Sequence, residues 1–258
     1  MVSVRSGTTD VSQLREIEGG MYRARSHFGR CLCEGAKWMT CLDLGGNVGL
    51  ASRFLKQEYG DRIKQHIAVE PIKENVVFFA KNNPKVDLRA ACIAKDARAK
   101  TITMAIPSSG YQWYRCANVE YFQGKRYEER TVPALPFLHL LAEVDGQCDT
   151  LLLKVDCEGP EIWIPEALAK FLCTKKRSTF DQLRTVILLG ELSLDNHPTL
   201  TKRQFYEFGA QLQGLESWVL VVKNVGKPPP KLTDKGYEKE CINSAVRFEF
   251  VLVRQMLV

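Results

Sequence analysis

The chain has 258 residues, 45% of them hydrophobic and 26% charged, which is the composition of a folded globular protein and excludes a fibrous or globally disordered chain. Its formal net charge of +6 suits an anionic partner but is too small to require nucleic acid. No run approaches the roughly 20 apolar residues that a membrane span needs, so we expect no such segment.

The nine cysteines favour a reducing compartment. The first ten residues have no apolar core of the kind found in secretion signals. Cys41, Cys92 and Cys157 lie in or beside predicted strands, where a thiol packs as a small hydrophobic group. We therefore expect a cytoplasmic protein with reduced thiols.

We predict an N-terminal extension over residues 1–35, partly helical around residues 11–17, and one domain over residues 36–258. In that domain, short apolar runs alternate with segments of helical periodicity, which is typical of βαβ units and a mainly parallel sheet. The elements predicted in its first half are strands at 38–44, 66–70, 86–93 and 101–106, and helices at 50–59 and from Pro71 to residue 82.

An aromatic and basic segment near residues 107–130 interrupts this pattern. We interpret it as an insertion, a loop or short hairpin over one end of the sheet. It would serve as a lid over a planar or sugar substrate, as a surface that stacks single-stranded nucleic acid, or only as an aromatic cluster under a long loop. Beyond it we predict strands at 150–155, from 185 to Glu191, at 218–222 and at 246–253, and helices at 135–143, 159–172 and 199–212.

A glycine-rich loop, Asp-Leu-Gly-Gly-Asn-Val-Gly at residues 43–49, follows the first predicted strand. Gly45 allows a tight turn, and Gly46 and Gly49 would let the backbone approach a ligand closely. The loop lacks the G-x-G-x-x-G pattern of dinucleotide sites and the G-K-[ST] ending of phosphate-binding loops. Asp43, placed before the loop, suits the positively charged end of S-adenosylmethionine better than a pyrophosphate.

Glu70 ends the second predicted strand, one βα unit after the glycine loop. In open α/β sheets, ligands bind beyond the carboxyl ends of the strands. A carboxylate at this point is placed to accept hydrogen bonds from both ribose hydroxyls of a nucleoside. The glycine loop and Glu70 together favour a cofactor site over a mere connection between a strand and a helix.

Three segments resemble FkbM-type methyltransferases: residues 41–49, residues 67–75 with the pair Glu70-Pro71, and residues 152–161 with the sequence Leu-Leu-Lys-Val-Asp-Cys-Glu-Gly-Pro-Glu. The resemblance implies a Rossmann-like class I fold of the α/β class, with a seven-stranded, mainly parallel sheet and helices on both faces. It also implies S-adenosylmethionine as the methyl donor, commonly for a hydroxyl oxygen. By position, the resemblance implies Asp43, Gly45, Asn47 and Glu70 as cofactor-binding residues, with residues 91–93, among them Cys92 and Ile93, beside the adenine. Further cofactor-binding candidates next to them are Gly46, where the family usually has alanine, and Gly49, Pro71 and Asp156.

Asp156 ends a predicted central strand, next to the expected position of the transferred methyl group. It could act as a general base or hold Mg²⁺ or another divalent cation, with Glu191 at the end of the next strand as its partner. His197, just beyond, is a further catalytic candidate. Glu161 is expected instead to favour the start of the following helix.

Lys154 lies on the same buried strand, so we expect it to have a carboxylate partner, either Glu191 or Asp43. Three functions fit the sequence. The first is O-methylation of a small molecule or a sugar. The second is methylation of RNA, suggested by the basic insertion. The third is binding of the cofactor by a scaffold without activity.

Overall fold

The computed structural model describes residues 2–5, 10–18, 36–107, 115–116, 127–157, 159–174, 182–193, 218–224 and 247–255. The α-helices of these ranges are α1 (Asp10–Glu18), α2 (Leu50–Tyr59), α3 (Lys73–Asn82), α4 (Phe137–Ala142) and α5 (Ile164–Thr174). The strands are β1 (Met39–Leu44), β2 (Ile63–Val69), β3 (Asp87–Arg89), β4 (Cys92–Ala94), β5 (Thr101–Pro107), β6 (Arg115–Cys116), β7 (Tyr127–Pro136), β8 (Thr150–Val155), β9 (Thr185–Ser193), β10 (Trp218–Asn224) and β11 (Arg247–Gln255).

Seven of these strands form the main sheet, in the order β10-β11-β9-β8-β1-β2-β3. The five strands from β9 to β3 run parallel. Strand β11 is antiparallel to both β9 and β10. This order confirms the predicted class I, Rossmann-like α/β fold with a mainly parallel sheet.

Both faces of the sheet are covered by helices because the central strands are apolar on both sides. In β1, Leu42 and Leu44 belong to a core cluster with α4 and α5. Met39 and Cys41, which point the other way, belong to a second cluster with α1 and α2. Complete burial of a side chain such as Leu42 stabilises the fold by roughly 1.5–3 kcal/mol. These two clusters fix β1 and its carboxyl end in the middle of the sheet.

The predicted strand at 86–93 is wrong as a single element. It consists of β3, in the main sheet, and β4, which pairs with β7 in a second sheet of order β4-β7-β5-β6. The amide of Ala91 donates to the carbonyl of Arg89 over 2.9 Å, so the chain turns between the two strands. The residues thought to end the third strand therefore lie on a different sheet.

Strand β7 was also missed, because we assigned its residues to the insertion and to a helix. It runs antiparallel to β5 from Tyr127, opposite Pro107, to Pro133, opposite Thr101. Three charged residues and two prolines hide its pattern, and Val132 is one of its few buried side chains. The described part of the insertion thus extends a sheet. In the described ranges, no helix is long and apolar enough to cross a membrane.

Candidate functional site

The loop between β1 and α2 turns tightly at Gly45. The amides of Gly45 and Gly46 both donate to the carbonyl of Val69, the last residue of β2, over 3.0 Å each. Gly45 has a φ of +80°, in the left-handed region that favours glycine. A Cβ there would lie 1.8 Å from the carbonyl oxygen of Asp156. Gly45 must be glycine, because the backbone after β8 occupies the space of a side chain.

Gly46 and Gly49 pack against the residues of α3 and its C-terminal end. From the sequence we expected them instead to leave space for a ligand. A Cβ on Gly46 would lie 2.7 Å from Cε2 of Phe79, and one on Gly49 would lie 2.2 Å from Nδ2 of Asn83. Gly49 also has a φ of +84° and precedes the first residue of α2. Close packing of the loop on a helix therefore explains these two glycines.

Two asparagines at the end of α3 hold the loop in place. Asn82 Nδ2 donates to the carbonyl of Val48 over 2.7 Å, and Asn83 Nδ2 donates to the carbonyl of Gly49 over 2.8 Å. Both asparagines are buried, so these bonds satisfy polar groups that would otherwise cost free energy. From the sequence they were only the stop signal of a helix, because their contacts depend on where the loop lies in the fold.

Glu70 follows β2 directly and is 4% exposed. Its Oε1 accepts hydrogen bonds from the amide of Ile72 (2.9 Å) and from Asn75 Nδ2 (3.0 Å), and its Oε2 accepts one from the amide of Asn47 (2.8 Å). A carboxylate has about four acceptor positions, so one remains, on Oε2. Burial raises the pKa of Glu70, and these three hydrogen bonds oppose that shift. Glu70 is thus fixed with one acceptor position left for a ligand hydroxyl, whereas the sequence led us to expect hydrogen bonds from two ribose hydroxyls.

Asp43, in β1, is fully buried against Lys154 of β8. Lys154 Nζ lies 3.1 Å from Asp43 Oδ1 and 3.7 Å from Asp156 Oδ2, and it donates to the carbonyl of Gly45 over 2.7 Å. Burial lowers the pKa of Lys154, but the two carboxylates outweigh it, so its pKa lies above the ordinary value. Of the two carboxylate partners expected for Lys154, Glu191 and Asp43, the structure shows Asp43. Because Asp43 has no exposed surface, it acts on the loop through Lys154.

A serine and a histidine that the sequence analysis did not single out complete this buried group. Ser52 Oγ donates to Asp43 Oδ2 over 2.6 Å and lies 3.0 Å from His66 Nε2. Because the single hydroxyl proton of Ser52 points to Asp43, its oxygen must accept from His66, which requires the Nε2–H tautomer. Burial lowers the pKa of His66 to about 4, although Asp43 acts in the opposite direction.

The low pKa of His66 predicts a pH-dependent contribution to stability. The pKa is about 4 in the folded chain against 6.5 for an ordinary histidine, so between these values the unfolded chain binds more protons. The contribution is complete above pH 6.5 and is lost as the pH falls towards 4, by roughly 3 kcal/mol at most. Urea unfolding of His66→Gln should show a smaller loss of stability over this window than the unchanged protein. His139→Gln, at an exposed position of α4, is the control; identical pH profiles of His66→Gln and the unchanged protein would contradict the prediction.

Asp156 is the first residue after β8, and its side chain is 22% exposed, which makes it accessible to a ligand. Its amide donates to the carbonyl of Leu44 at the end of β1 over 3.0 Å. The turn that follows is held by Glu161, which accepts hydrogen bonds from the amides of Cys157 and Gly159. Burial raises the pKa of Glu161. Glu161 therefore stabilises the turn, in line with the structural role expected for it.

Glu191 lies within β9, whereas we predicted it at the end of that strand. Strands β8 and β9 are parallel neighbours with Val155 opposite Gly190, which places Glu191 level with Asp156. The strand continues to Ser193, and Glu191 pairs with a residue of β11.

The described residues offer no support for the predicted metal site at Asp156 and Glu191. Among the residues that the structure describes, no group of three or more histidine, cysteine, aspartate or glutamate side chains is arranged to hold a metal ion. The catalytic candidate His197 lies outside those residues. What does lie beside Asp156 is the ammonium group of Lys154.

Cys92 and Ile93, the residues predicted beside an adenine, stand on β4 of the second sheet. They are 3% and 4% exposed, so their side chains are turned into the core. Cys92 is part of a disulfide bond, which contradicts the expectation of reduced thiols for this residue. Pro71 lies between Glu70 and Ile72, the N-cap of α3, so it precedes the helix instead of starting it.

No family model matches the sequence, and no match is found among curated proteins. Several solved structures have a similar architecture. The methyltransferase FkbM from Methylobacillus flagellatus KT is 12% identical, with a TM-score of 0.47 over 89% of this chain and 46% of its own length. The O-methyltransferase from Bacillus cereus, in complex with S-adenosylhomocysteine, is 9% identical, with a TM-score of 0.43 over 99% of this chain and 93% of its own.

The O-methyltransferase TomG from Streptomyces achromogenes, in complex with S-adenosylmethionine, is 12% identical, with a TM-score of 0.43 over 100% of this chain and 92% of its own. This chain thus spans about half of the FkbM protein and nearly all of the other two. Identities and TM-scores this low carry no conclusion about function. The function is therefore inferred from the site itself.

Proposed function

We propose that this protein binds S-adenosylmethionine and transfers its methyl group to a hydroxyl oxygen of a small molecule or a sugar. The observation that carries the proposal is Glu70. It is fixed at the end of β2, beside the glycine loop, with one acceptor position left on Oε2 for a ribose hydroxyl. In open α/β sheets, nucleoside ligands bind at this carboxyl edge.

The charges at this edge favour a cationic ligand over a pyrophosphate. Asp43, Glu70 and Asp156 all lie at the carboxyl ends of parallel central strands, with Lys154 between two of them. A surplus of carboxylates attracts a sulfonium or ammonium group and repels phosphates. S-adenosylmethionine carries both of those cations beside its ribose.

The remaining cofactor contacts are proposed for other residues at this edge of the sheet. The backbone of the loop would lie beside the ligand, while Asp43 acts on it through Lys154. Cys92 and Ile93 stay proposed beside the adenine, although the two residues are only 3% and 4% exposed. The residues proposed around the cofactor are Gly45, Gly46, Asn47, Gly49, Glu70, Pro71, Cys92, Ile93 and Asp156.

Asp156 is the proposed general base. When bound, S-adenosylmethionine would supply the methyl group to the acceptor oxygen as its carbon–sulfur bond breaks, and Asp156 would take the hydroxyl proton. The products would be the methyl ether, S-adenosylhomocysteine and a protonated carboxyl group. Glu191 is a second proposed catalytic residue, because it is level with Asp156 on the neighbouring strand. His197 is proposed from its position in the sequence alone, a few residues after Glu191.

A divalent cation at Asp156 and Glu191 would lower the pKa of the acceptor hydroxyl. Lys154 already places a positive charge 3.7 Å from Asp156, so this carboxylate has a compensating charge without a metal ion. Activity after exhaustive EDTA treatment, with and without added Mg²⁺, distinguishes a reaction that needs a divalent cation from one that does not.

The test of the proposal is cofactor binding by a Glu70→Ala variant. Removing hydrogen bonds to a charged acceptor costs roughly 1.5–3 kcal/mol, so affinity for S-adenosylhomocysteine should fall by about ten- to a hundredfold. Isothermal titration calorimetry measures this directly. Glu74→Ala is the matched control, because Glu74 is 57% exposed and pairs with Arg130 on the surface of α3; its affinity should not change.

Unchanged affinity in a folded Glu70→Ala protein would contradict the assignment of Glu70 as a ligand of the cofactor ribose. Where binding holds, transfer of a labelled methyl group identifies the acceptor class. Label in small hydroxyl compounds supports the proposal, while label in RNA would replace it by the second function.

A further inference from the structure

The N-terminal segment, residues 2–5 together with α1, is tied to the residues that surround Glu70. The amide of Ser3 donates to Asn82 Oδ1 over 2.8 Å, and Asn82 Nδ2 donates back to the carbonyl of Ser3 over 2.9 Å. Gln13 of α1 accepts a hydrogen bond from Asn47 Nδ2 over 3.2 Å. Asn82 and Asn47 both belong to the framework of the glycine loop. The segment therefore touches the proposed cofactor site at two separate points.

Arg5 is the centre of these contacts. Its Nη1 donates to Asn75 Oδ1, and its Nη2 donates to Asn47 Oδ1 over 3.2 Å. Both asparagines also donate to Glu70: Asn75 through its side-chain nitrogen and Asn47 through its backbone amide. Arg5, Asn75, Glu70 and Asn47 thus form a closed ring of hydrogen bonds. Only 11% of the Arg5 side chain is exposed, so its own hydrogen bonds are largely shielded from water.

The chemistry of the guanidinium group fixes the orientation of both amides. A guanidinium only donates, so each asparagine must turn its oxygen towards Arg5. The nitrogen of Asn75 is then directed at Oε1 of Glu70, where the hydrogen bond is found. A flipped Asn75 would present its oxygen to the carboxylate and repel it. Arg5 thereby secures the second of the two donors to Oε1 of Glu70.

We propose that Arg5 is a positioning residue of the cofactor site, which orients Asn75 and Asn47 so that Oε2 of Glu70 keeps its acceptor position for a ribose hydroxyl. This inference rests on the function proposed above. Asp10 compensates the charge of Arg5: its Oδ1 lies 2.7 Å from Arg5 Nη2, and its Oδ2 accepts from Arg5 Nε over 3.0 Å. Arg5 therefore acts on Glu70 through geometry and not through its charge.

The first experiment needs no cofactor and measures amide hydrogen exchange. The amides of Asn47 and Ile72 donate to Glu70, so loss of Arg5 should loosen both. In Arg5→Met, we expect exchange at these two amides to become about tenfold faster, which corresponds to about 1.4 kcal/mol. The amide of Leu152, in the central strand β8, should not change.

Two further variants serve as controls for the exchange experiment. Arg5→Met leaves the buried carboxylate of Asp10 without its compensating positive charge, so the double variant Arg5→Met/Asp10→Asn removes that cause of unfolding. Arg130→Met removes a surface arginine that pairs with Glu74 and Glu128, and should leave all three amides unchanged. Unchanged exchange at Asn47 and Ile72, or an equal increase at Leu152, would overturn the proposal.

The second experiment compares two ligands by calorimetry: S-adenosylhomocysteine and an analogue whose ribose lacks both hydroxyls. Arg5→Met should weaken binding of the first by about tenfold and leave binding of the second unchanged. An equal loss for both ligands would show a purely structural role and overturn the proposal. If the unchanged protein binds neither ligand, the proposed function fails, and hydrogen exchange alone still decides whether Arg5 positions Glu70.

Discussion

Replacement of Lys154 by methionine is expected to lower the free energy of unfolding by about 3–5 kcal/mol. The ammonium group lies between the fully buried Asp43 and the partly buried Asp156, and it also binds the carbonyl of Gly45. Methionine fills a similar volume but leaves the carboxylate of Asp43 inside the protein without a compensating charge. Urea unfolding monitored by circular dichroism measures the change.

Lys170→Met is the matched control for this prediction. Lys170 forms an ion pair with Glu166 on the surface of α5, where the two side chains are 73% and 57% exposed. Such pairs contribute roughly 0.5 kcal/mol or less, so this variant should be nearly as stable as the unchanged protein. The double variant Lys154→Met/Asp43→Asn should recover part of the loss. If Lys154→Met and Lys170→Met are equally stable, the buried pair has no special importance.

The second large effect is expected for Gly45→Ala, which should prevent the native loop from forming. A left-handed backbone costs a non-glycine residue roughly 1–3 kcal/mol, and the new Cβ would also lie 1.8 Å from the carbonyl oxygen of Asp156. That oxygen is backbone and cannot move away as the end of a side chain could. We expect a loss of several kcal/mol, or no folded protein in a soluble-expression assay.

Gly60→Ala separates the backbone cost from the clash. Gly60 has a φ of +59°, and a Cβ there would meet no atom within 4 Å. Its substitution should therefore cost only the backbone term, roughly 1–3 kcal/mol. Equal losses at Gly45 and Gly60 would contradict the importance of the contact with Asp156.

The sequence was informative where a residue's role follows from its own strand. Strand β8 is an almost continuous apolar run, so its central position and the partly exposed Asp156 directly after it could be predicted. An interior lysine needs an opposite charge, so the partnership of Lys154 with a carboxylate could be predicted as well. The position of Glu70, one βα unit after the glycine loop, follows from the same alternation of strands and helices.

The sequence was less informative where a role depends on what packs against the residue. Nothing near Gly46 or Gly49 shows that α3 fills the space beside them. The contacts of Asn82 with Val48 and Ser3 join residues that are far apart in the chain. Strand β7 was hidden for a similar reason, since its charged and proline-rich sequence is stabilised by pairing with β5 and not by its own apolar pattern.

The groups that clamp the glycine loop from α3 are carboxamides: Asn82 and Asn83 hold its carbonyl oxygens, and Asn75 holds Glu70. A carboxamide does not ionise, so these groups offer the same donors and acceptors in mild acid as in mild base. Burial raises the pKa of Glu70 at the same edge, so acidification would remove its charge while Asn82 and Asn83 keep the same hydrogen bonds. In acid, the charge of Glu70 that attracts a cation is therefore lost while these carboxamide contacts persist.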